Sequence, residues 1–418
     1  MLIKCLGGFR EVGRSGVLLE NRGERILLDY GVKVETGEVP KPIHKASSIL
    51  LSHAHLDHCG SIPMLFRKFK SPVYSTIATF EQSHLLLKDS IKVARRKGFP
   101  QRFSRNDIKK MKKREVRITY GQQFETENAI VDVYDAGHIP GSASFLIETG
   151  NLRIFYTGDF NLKSTRLLKG AKIDVKDVDI LIMESTYASK EHPDRKETEK
   201  KLFEIVSETI ANDGIALIPS FAIARAAEII MVLDSFKPDF PIYLDGMAIE
   251  ATQIALRYPE FLKEPKILRN AFKKVRLLHN REERRKAVKN PCVIISTSGM
   301  IEGGPVIQHM KYLYNNPQSS VIFVGFLIPR TAGRYLLDTG RFVTENLDLK
   351  VKMRIYYLDF SAHSGRSDLF ELVHKINPEK VICMHGDYCE RFARELKGRG
   401  FDAIAPRNGD IIDTDRWL

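Results

Sequence analysis

Four side chains that can bind a metal ion lie within six consecutive positions of this sequence. They are His53, His55, Asp57 and His58. The apolar run 48–51 before them predicts a buried strand, so the imidazoles of His53 and His55, two positions apart on extended backbone, point the same way. From Asp57 the pattern predicts a helix that continues to Phe69. Imidazole and carboxylate ligands without a thiolate suit zinc or another borderline divalent ion. One histidine alone would be an ordinary loop residue, but four ligand types at this spacing predict a metal site.

Further ligand-type residues follow predicted strands elsewhere in the chain. His138 and Asp159 each come directly after a glycine that permits a sharp exit from a strand. Glu184 closes the apolar run 180–183, and His385 follows the strand predicted at 380–384. His363 comes shortly after a strand predicted at 355–358. Any one of these residues alone would be an ordinary turn residue. Together they repeat the arrangement at residue 53, in which a ligand-type side chain follows a strand, and this repetition makes them candidate site residues.

The pattern of predicted elements divides the 418-residue chain into three stretches. Residues 1–188 and 362–418 bring polar residues to strand ends. Between them, residues 189–361 alternate helices with short apolar strands, which predicts a parallel sheet with helices on both faces. We therefore expect an inserted domain at 189–361 within a domain formed by the other two stretches.

Composition limits the partners and the compartment. The net charge is +13, with dense Lys and Arg runs at 92–117 and 263–289. These runs predict either solvated helix faces or, beside a phosphodiester-cleaving site, a groove for a nucleic-acid backbone. Five scattered cysteines without a Cys-x-x-Cys pair fit a reducing cytosol, and no apolar run or N-terminal signal indicates a membrane. We expect a cytoplasmic protein.

The chain resembles the β-CASP branch of the metallo-β-lactamase superfamily over nearly its whole length. Within that branch it is most similar to the cleavage and polyadenylation specificity factor endonuclease group, with ribonuclease J as a cousin. The motifs that carry the resemblance are Leu28-Asp29, the 53–58 motif, Gly137-His138, Thr157-Gly-Asp159, Glu184-Ser-Thr-Tyr187, Pro219-Ser-Phe-Ala222, Ser298-Gly-Met300, Gly303-Gly304, Phe360-Ser-Ala-His363 and His385-Gly386.

The resemblance implies an α/β fold, in which a metallo-β-lactamase αββα sandwich carries an inserted β-CASP α/β domain. It implies a zinc-dependent ribonuclease that hydrolyses single-stranded RNA, as an endonuclease, with 5′–3′ exonuclease activity left open. RNA is favoured over DNA because DNA-directed members usually lack the histidine found here at 385. The alternatives are a DNA-directed nuclease and a binding or scaffold subunit of an RNA-processing complex. A homodimer or membership of a processing complex is a further expectation, and the N-terminal RNA-binding modules of some archaeal relatives are not expected here.

Site roles also follow from the resemblance, residue by residue. His53, His55 and His138 would hold one zinc ion, Asp57, His58 and His385 the second, and Asp159 would bridge the two. Such a pair of ions can lower the pKa of a water and neutralise charge on the scissile phosphate, so no protein nucleophile is required. We count Asp57 among the catalytic residues as well.

The remaining roles concern proton transfer and orientation. His363 is the candidate acid for the leaving 3′-oxygen, and Glu184 would keep it protonated. Asp29 would orient a ligand histidine, or would be an ordinary strand-end carboxylate. Ser298 would contact a substrate phosphate, or would only cap a turn. The family often has an acidic residue at the position of Gly365 and Glu at that of Asp387, which leaves the contacts near both positions open.

Overall fold

The computed structural model describes residues 1–96, 98–345 and 347–416, and the chain forms two compact units. The first unit contains residues 1–164, 170–191 and the part of the chain from residue 362 onward. The second contains residues 165–169 and 192–361. We propose the domain limits predicted from the sequence, 1–188, 189–361 and 362–418, as the functional division of the same chain.

The strands are numbered along the chain. In the first unit they begin with β1 Leu2–Gly7, β2 Gly16–Asn21, β3 Glu24–Leu28, β4 Ser48–Leu50, β5 Val73–Thr76, β6 Glu115–Ile118, β7 Gln123–Glu125, β8 Ala129–Asp135, β9 Ala143–Thr149, β10 Leu152–Tyr156 and β11 Ile180–Glu184. The second unit contains β12 Ile215–Pro219, β13 Ile242–Asp245, β14 Arg276–Leu278, β15 Cys292–Ser296, β16 Ser320–Phe323, β17 Arg341–Thr344, β18 Leu347–Lys350 and β19 Arg354–Tyr357. The first unit ends with β20 Lys380–Met384, β21 Asp402–Ile404 and β22 Ile411–Asp413.

The helices follow the same numbering. Those of the first unit are α1 Leu56–Cys59, α2 Ile62–Leu65, α3 Ile77–Arg96, α4 Arg105–Lys112 and, after the second unit, α12 Arg366–Ile376 and α13 Cys389–Gly398. Those of the second unit are α5 Arg195–Ala211, α6 Arg225–Ser235, α7 Ala248–Arg257, α8 Pro265–Lys274, α9 Arg281–Ala287, α10 Val306–Leu313 and α11 Ala332–Thr339. None of the helices in the described part of the chain combines the length and the apolar content that a membrane span needs.

Two seven-stranded sheets form the centre of the first unit, in the orders β22-β1-β2-β3-β4-β5-β6 and β21-β20-β11-β10-β9-β8-β7. Alternate apolar side chains of both sheets, such as Val17 and Phe145, bury a shared core between the sheets. Helices α1 to α4 cover the outer face of the first sheet, and α12 and α13 cover that of the second. These four layers confirm the predicted αββα sandwich.

The second unit is built on a parallel sheet with the order β14-β13-β15-β12-β16-β19. Its strands bury apolar side chains on both faces, because α5 to α8 pack on one face and α9 to α11 on the other. This arrangement confirms the predicted α/β insertion. The continuous helix predicted from Asp57 to Phe69 is wrong: the chain forms the short α1 and α2, because Gly60 ends the first and Pro63 has no N–H to continue it.

Candidate metal centre

The predicted metal ligands all lie in the first unit, five of them on segments that leave the ends of its strands and two, Asp57 and His58, on α1. His53 and His55 follow β4, His138 follows β8, Asp159 follows β10 and His385 follows β20. After three of these strands the backbone turns through a residue in the left-handed region, with φ of +68° at Gly137, +55° at Gly158 and +49° at His385 itself. Glycine adopts this conformation without strain at the first two positions. At His385 the conformation is strained, and hydrogen bonds of the residue to Gly8 and Ser15 hold it.

A first group of ligand-type atoms comes from His53, His55, His138 and Asp159, and these atoms all lie within 4.8 Å of one another. His55 Nδ1 lies 3.2 Å from both His53 Nε2 and His138 Nε2. Asp159 Oδ2 is 3.4 Å from His53 Nε2. A single proton on His55 Nδ1 would have to be divided between two acceptors, whereas one cation among the three ring nitrogens binds all three lone pairs.

A second group contains Asp57, His58 and His385, whose ligand atoms also lie within 4.8 Å of one another. The other carboxylate oxygen of Asp159, Oδ1, lies 3.2 Å from His58 Nε2 and 3.8 Å from His385 Nε2. Asp159 Oδ1 is buried and accepts no hydrogen bond from the described residues. A buried carboxylate oxygen without a donor is costly unless a cation neutralises it. Asp159 therefore faces both groups, one oxygen to each.

Asp29 holds the side of His58 that is turned away from these groups. It is fully buried, and its Oδ2 lies 2.7 Å from His58 Nδ1 and accepts hydrogen bonds from Ser52 Oγ and Tyr156 Oη at 2.6 and 2.7 Å. Asp29 Oδ1 accepts from the Ser52 backbone N–H at 2.7 Å. Because Nδ1 of His58 faces a carboxylate, Nε2 is left to face Asp159. Asp29 thus makes a contact that could orient His58, and its orienting role stays a prediction.

Two other histidines are held in the same way. His138 Nδ1 lies 2.8 Å from the Ala362 carbonyl oxygen, and His385 Nδ1 lies 2.8 Å from Ser15 Oγ. Ser15 is fully buried and stands 3.4 Å from His58 Nε2, so it touches both histidines of the second group. In each ring the bonded nitrogen is the one that faces away from the ligand cluster.

The pKa values of the cluster agree with metal-binding protonation states. Burial lowers the pKa of His53 and His138 well below the usual value and that of His55 to about 4, so these rings are neutral. For Asp159 burial alone would raise the pKa, but the neighbouring histidines hold it well below the usual range. For His58 burial lowers the pKa, yet Asp159 and Asp29 outweigh burial and raise it. A bound cation would take the place of the His58 proton.

The donor set therefore fits a pair of divalent ions. It offers five imidazoles and two carboxylates, all from one unit, with Asp159 positioned between two groups that each bring three further ligands. Imidazole with carboxylate and no thiolate is typical of zinc in hydrolytic sites. The five cysteines are buried thiols outside both groups.

His363 and Glu184 form a pair beside the first group. His363 Nδ1 lies 2.9 Å from Oε1 and 3.1 Å from Oε2 of Glu184, and its ring centroid is 4.5 Å from that of His138. Burial by itself lowers the pKa of His363, but the Glu184 carboxylate more than offsets burial and raises the pKa to about 9. The His363 side chain keeps 18% exposure, whereas that of Glu184 has 1%. A protonated imidazole that solvent can reach thus borders the cluster.

The same pair also forms a third group of ligand-type atoms with Asp159, again within 4.8 Å. Geometry alone therefore allows His363 either as a proton donor or as a metal ligand. Glu184 is already engaged by the backbone, because its Oε1 accepts from the Phe160 N–H at 2.9 Å. The two departures from the family pattern bring no further ligand: Gly365 caps the start of α12, and Asp387 is exposed.

Ser298 lies in the second unit, in the turn after β15. Its hydroxyl donates to the Gly303 carbonyl at 3.3 Å and accepts from the Glu302 N–H at 3.1 Å. Gly304 in this turn has φ of +74°, and a Cβ there would lie 2.5 Å from the Thr297 carbonyl oxygen. The hydroxyl thus makes the contacts expected if Ser298 only caps a turn. Its contact to a substrate phosphate stays a prediction.

Three residues of the site were missed by the sequence analysis: Ser15, Ser52 and Tyr156. Ser52 directly precedes His53, and this adjacency was a usable signal. Ser15 and Tyr156 carry no such signal, because they reach His385 and Asp29 over 370 and 127 positions of the chain.

Comparison with protein-family models matches three consecutive regions of the chain. Residues 18–186 match a metallo-β-lactamase superfamily domain, residues 226–336 a Beta-Casp domain, and residues 348–406 a Zn-dependent metallo-hydrolase RNA specificity domain.

Similar curated proteins cover almost all of the chain. Probable RNase MJ4 of Methanocaldococcus jannaschii is 37% identical over 97% of this chain and 98% of its own length. RNase aCSPSF2 of Saccharolobus solfataricus is 36% identical over 98% of this chain and 85% of its own length. Transcription termination factor FttA of M. jannaschii is 35% identical over 98% of this chain and 71% of its own length.

A solved structure supports the fold alone. A protein of unknown function from Enterococcus faecalis V583 superimposes with a TM-score of 0.60 at 16% identity, over 98% of this chain and 99% of that chain. The fold and the clustered ligands are those of a metal-dependent hydrolase. The chain belongs to the β-CASP branch of the metallo-β-lactamase superfamily, which confirms the resemblance drawn from the motifs.

Proposed function

We propose that this protein is a zinc-dependent ribonuclease that hydrolyses phosphodiester bonds of single-stranded RNA. The observation that carries the proposal is the pair of buried or half-buried ligand groups that Asp159 faces, with the Glu184–His363 pair beside them. The RNA specificity domain model and the relatives named as ribonucleases support RNA as the substrate. In this proposal cleavage is endonucleolytic. End-labelled RNA tests in addition for 5′–3′ exonuclease activity.

We propose two zinc ions per chain. The first would be held by His53, His55 and His138, the second by Asp57, His58 and His385, and Asp159 would contribute one oxygen to each. When bound, such ions activate water at neutral pH and neutralise charge on the scissile phosphate. The protein's own contribution is to hold these seven buried or half-buried side chains before substrate arrives, five of them on loops that follow strands and two, Asp57 and His58, on α1.

His363 is the proposed proton donor to the leaving 3′-oxygen. Its Nδ1 faces Glu184, so Nε2 is the nitrogen from which a proton can leave toward substrate. The buried carboxylate keeps the ring protonated at neutral pH, because the raised pKa of His363 lies near 9. Glu184 thus acts through His363, and its own backbone contact to Phe160 fixes its position.

Asp29 and Ser15 are proposed as positioning residues. Asp29 directs Nε2 of His58, and Ser15 directs Nε2 of His385, toward the second group. The backbone supports the same geometry, since the His385 N–H donates to the Gly8 carbonyl and the Gly386 N–H to that of Glu11. In the second unit, Ser298 is the proposed contact to a substrate phosphate.

A cytoplasmic location is part of the proposal, because five buried thiols fit a reducing compartment. We also propose that the protein works either as a homodimer or as a subunit of a processing complex.

Matched RNA and DNA oligonucleotides of identical sequence, labelled at the 5′ or the 3′ end, test this function. We expect internal cleavage of RNA, no cleavage of DNA, loss of activity with a chelator and its return with zinc. A 5′ label released as mononucleotide would reveal exonuclease activity. Preferential cleavage of DNA would replace the proposal with a DNA-directed nuclease. A zinc-loaded protein that binds RNA without cutting it would make the chain a scaffold subunit.

A further inference from the structure

One segment of the first unit has a dense positive charge. Residues 92–117 contain twelve Lys and Arg against two acidic residues. The described residues of this segment lie at the end of α3, between α3 and α4, and from α4 into strand β6. Eleven of the basic residues are described, and all eleven are exposed. We call this set the basic face: Lys92, Arg95, Arg96, Arg102, Arg105, Lys109, Lys110, Lys112, Lys113, Arg114 and Arg117.

The two acidic residues of this segment do not neutralise the basic face. Asp107 is buried and turned inward, where it closes the capping box of α4 with Ser104 and pairs with Arg67. Glu115 lies 2.5 Å from His84 Nε2. Within the described chain, no residue of the basic face forms an ion pair with a carboxylate. The charge of the basic face is therefore fully available to a partner in solution.

Helix α4 places part of this charge in a single stripe. Ile108 and Met111 are buried, and Arg105, Lys109 and Lys112 form a stripe on the exposed side. The stripe is about 10 Å long, at 1.5 Å per residue. Like charges three and four positions apart repel and destabilise a helix. A polyanion that lies along the stripe would remove this repulsion, and the length suits on the order of three successive phosphates of a strand.

The second basic run of the sequence differs in this respect. Between residues 263 and 289, Lys274 pairs with Asp234, Lys286 with Glu282, and Arg284 with the fully buried Asp245. Part of its charge therefore serves the fold of the second unit.

We propose that the basic face is a docking surface for the phosphate backbone of RNA, separate from the side chains that would hold the metal ions. This inference rests on the proposed ribonuclease function and adds a prediction to it: longer RNA binds more tightly than RNA that reaches only the catalytic cluster. The backbone is the recognised chemistry, so binding is independent of base sequence and depends strongly on salt.

The test compares the double variant Lys109→Gln/Lys112→Gln with the control Lys274→Gln/Lys286→Gln, which removes the same charge from residues that are already paired. Binding is measured on the zinc-loaded protein by fluorescence anisotropy with 30-nucleotide and 6-nucleotide 2′-O-methyl RNA over a salt series. Cleavage of unmodified RNA of both lengths is measured in parallel. Because binding is read without cleavage, failure of this inference and failure of the ribonuclease proposal give different results.

For the 30-nucleotide RNA we expect the first variant to raise Kd about tenfold at 0.15 M salt and to reduce the salt slope by about 0.7 per lost phosphate contact. Its kcat, its binding of the 6-nucleotide RNA and all properties of the control should stay unchanged. An unchanged Kd and slope for long RNA would overturn the inference, as would an equal loss in the control. Unchanged RNA binding with lost retention on phosphatidylserine vesicles would assign the basic face to a membrane surface instead.

Discussion

Removal of the charge of Glu184 is the most direct test of how proton transfer is arranged in this site. In the variant Glu184→Gln the side chain keeps its size, and its amide oxygen can still accept from the Phe160 N–H. What is lost is the negative charge that lies 2.9 and 3.1 Å from His363 Nδ1. The substitution therefore separates the electrostatic role of Glu184 from its packing.

The expected size of the effect follows from the pKa of His363. Burial lowers this pKa and the Glu184 carboxylate raises it, with the net result of a rise from 6.5 to about 9. Without the charge, burial remains, so the pKa falls to 6.5 or below. At pH 8 the protonated fraction would then fall from about 90% to about 3%, which is a rate loss of about thirtyfold if the imidazolium is the acid.

The direction of the His363 pKa shift also predicts how the stability of the protein depends on pH. A histidine with a raised folded-state pKa stabilises the fold below pH 6.5 and loses this contribution as the pH rises through about 9. The difference between the two values corresponds to about 3 kcal/mol. The Gln variant should lack this pH-dependent part of the free energy of unfolding.

The assay is the single-turnover cleavage rate from pH 5.5 to 9.5, with zinc content measured on the same samples. Wild type should keep its rate as the pH rises to about 9. The rate of Glu184→Gln should instead begin to fall as the pH rises through 6.5 or a lower value, with its zinc retained. Glu115→Gln is the matched control, since it disrupts the His84–Glu115 pair and should leave the profile unchanged. A Glu184→Gln profile that matches wild type, or loss of zinc from this variant, would refute the argument.

Three further predictions concern the metal ligands and their supports. Metal analysis should find about two zinc ions per chain, and His55→Ala should abolish cleavage; a protein that retains no zinc, or only one ion, after reconstitution would contradict the two-metal site. His363→Ala should keep both ions and bind RNA but cleave about 10²–10⁴-fold more slowly, whereas His385→Ala should lose the ion of the second group; loss of metal from the His363 variant would make that residue a ligand. Ser15→Ala should weaken zinc binding at the second group about 10–100-fold by competition with a chelator, and unchanged affinity would leave Ser15 with a packing role only.

The sequence alone predicted the ligand-type residues of the candidate site and the strand ends that carry them, because both predictions depend only on neighbouring residues. Glycine before His138 and before Asp159 allows the left-handed turns that the structure shows at Gly137 and Gly158. The alternation of apolar strands and helices between residues 189 and 361 predicted the parallel sheet of the second unit. Both inferences use only neighbouring residues and the period of the chain, so a single sequence is sufficient for them.

Local rules failed where a boundary depended on packing. The helix predicted from Asp57 to Phe69 is interrupted at Gly60 and Pro63, and contacts from a distant segment also fix the position of α1. The N–H groups of Tyr30 and Val32 donate to the carbonyls of His58 and Leu56, and a Cβ at Gly31 would lie 1.7 Å from Asp57 O. This close approach of a distant strand end cannot be recognised from the apolar period of residues 57–69.

Which nitrogen of each histidine faces the cluster was decided by the tertiary structure alone. The partners that select it are Asp29 for His58, Ser15 for His385 and the Ala362 carbonyl for His138. These contacts join residues 29, 370 and 224 positions apart, so they exist only after both sheets have formed and packed. A spacing motif can supply ligands of the right type, but the protonation and direction of each ring follow from groups that folding brings to its far side.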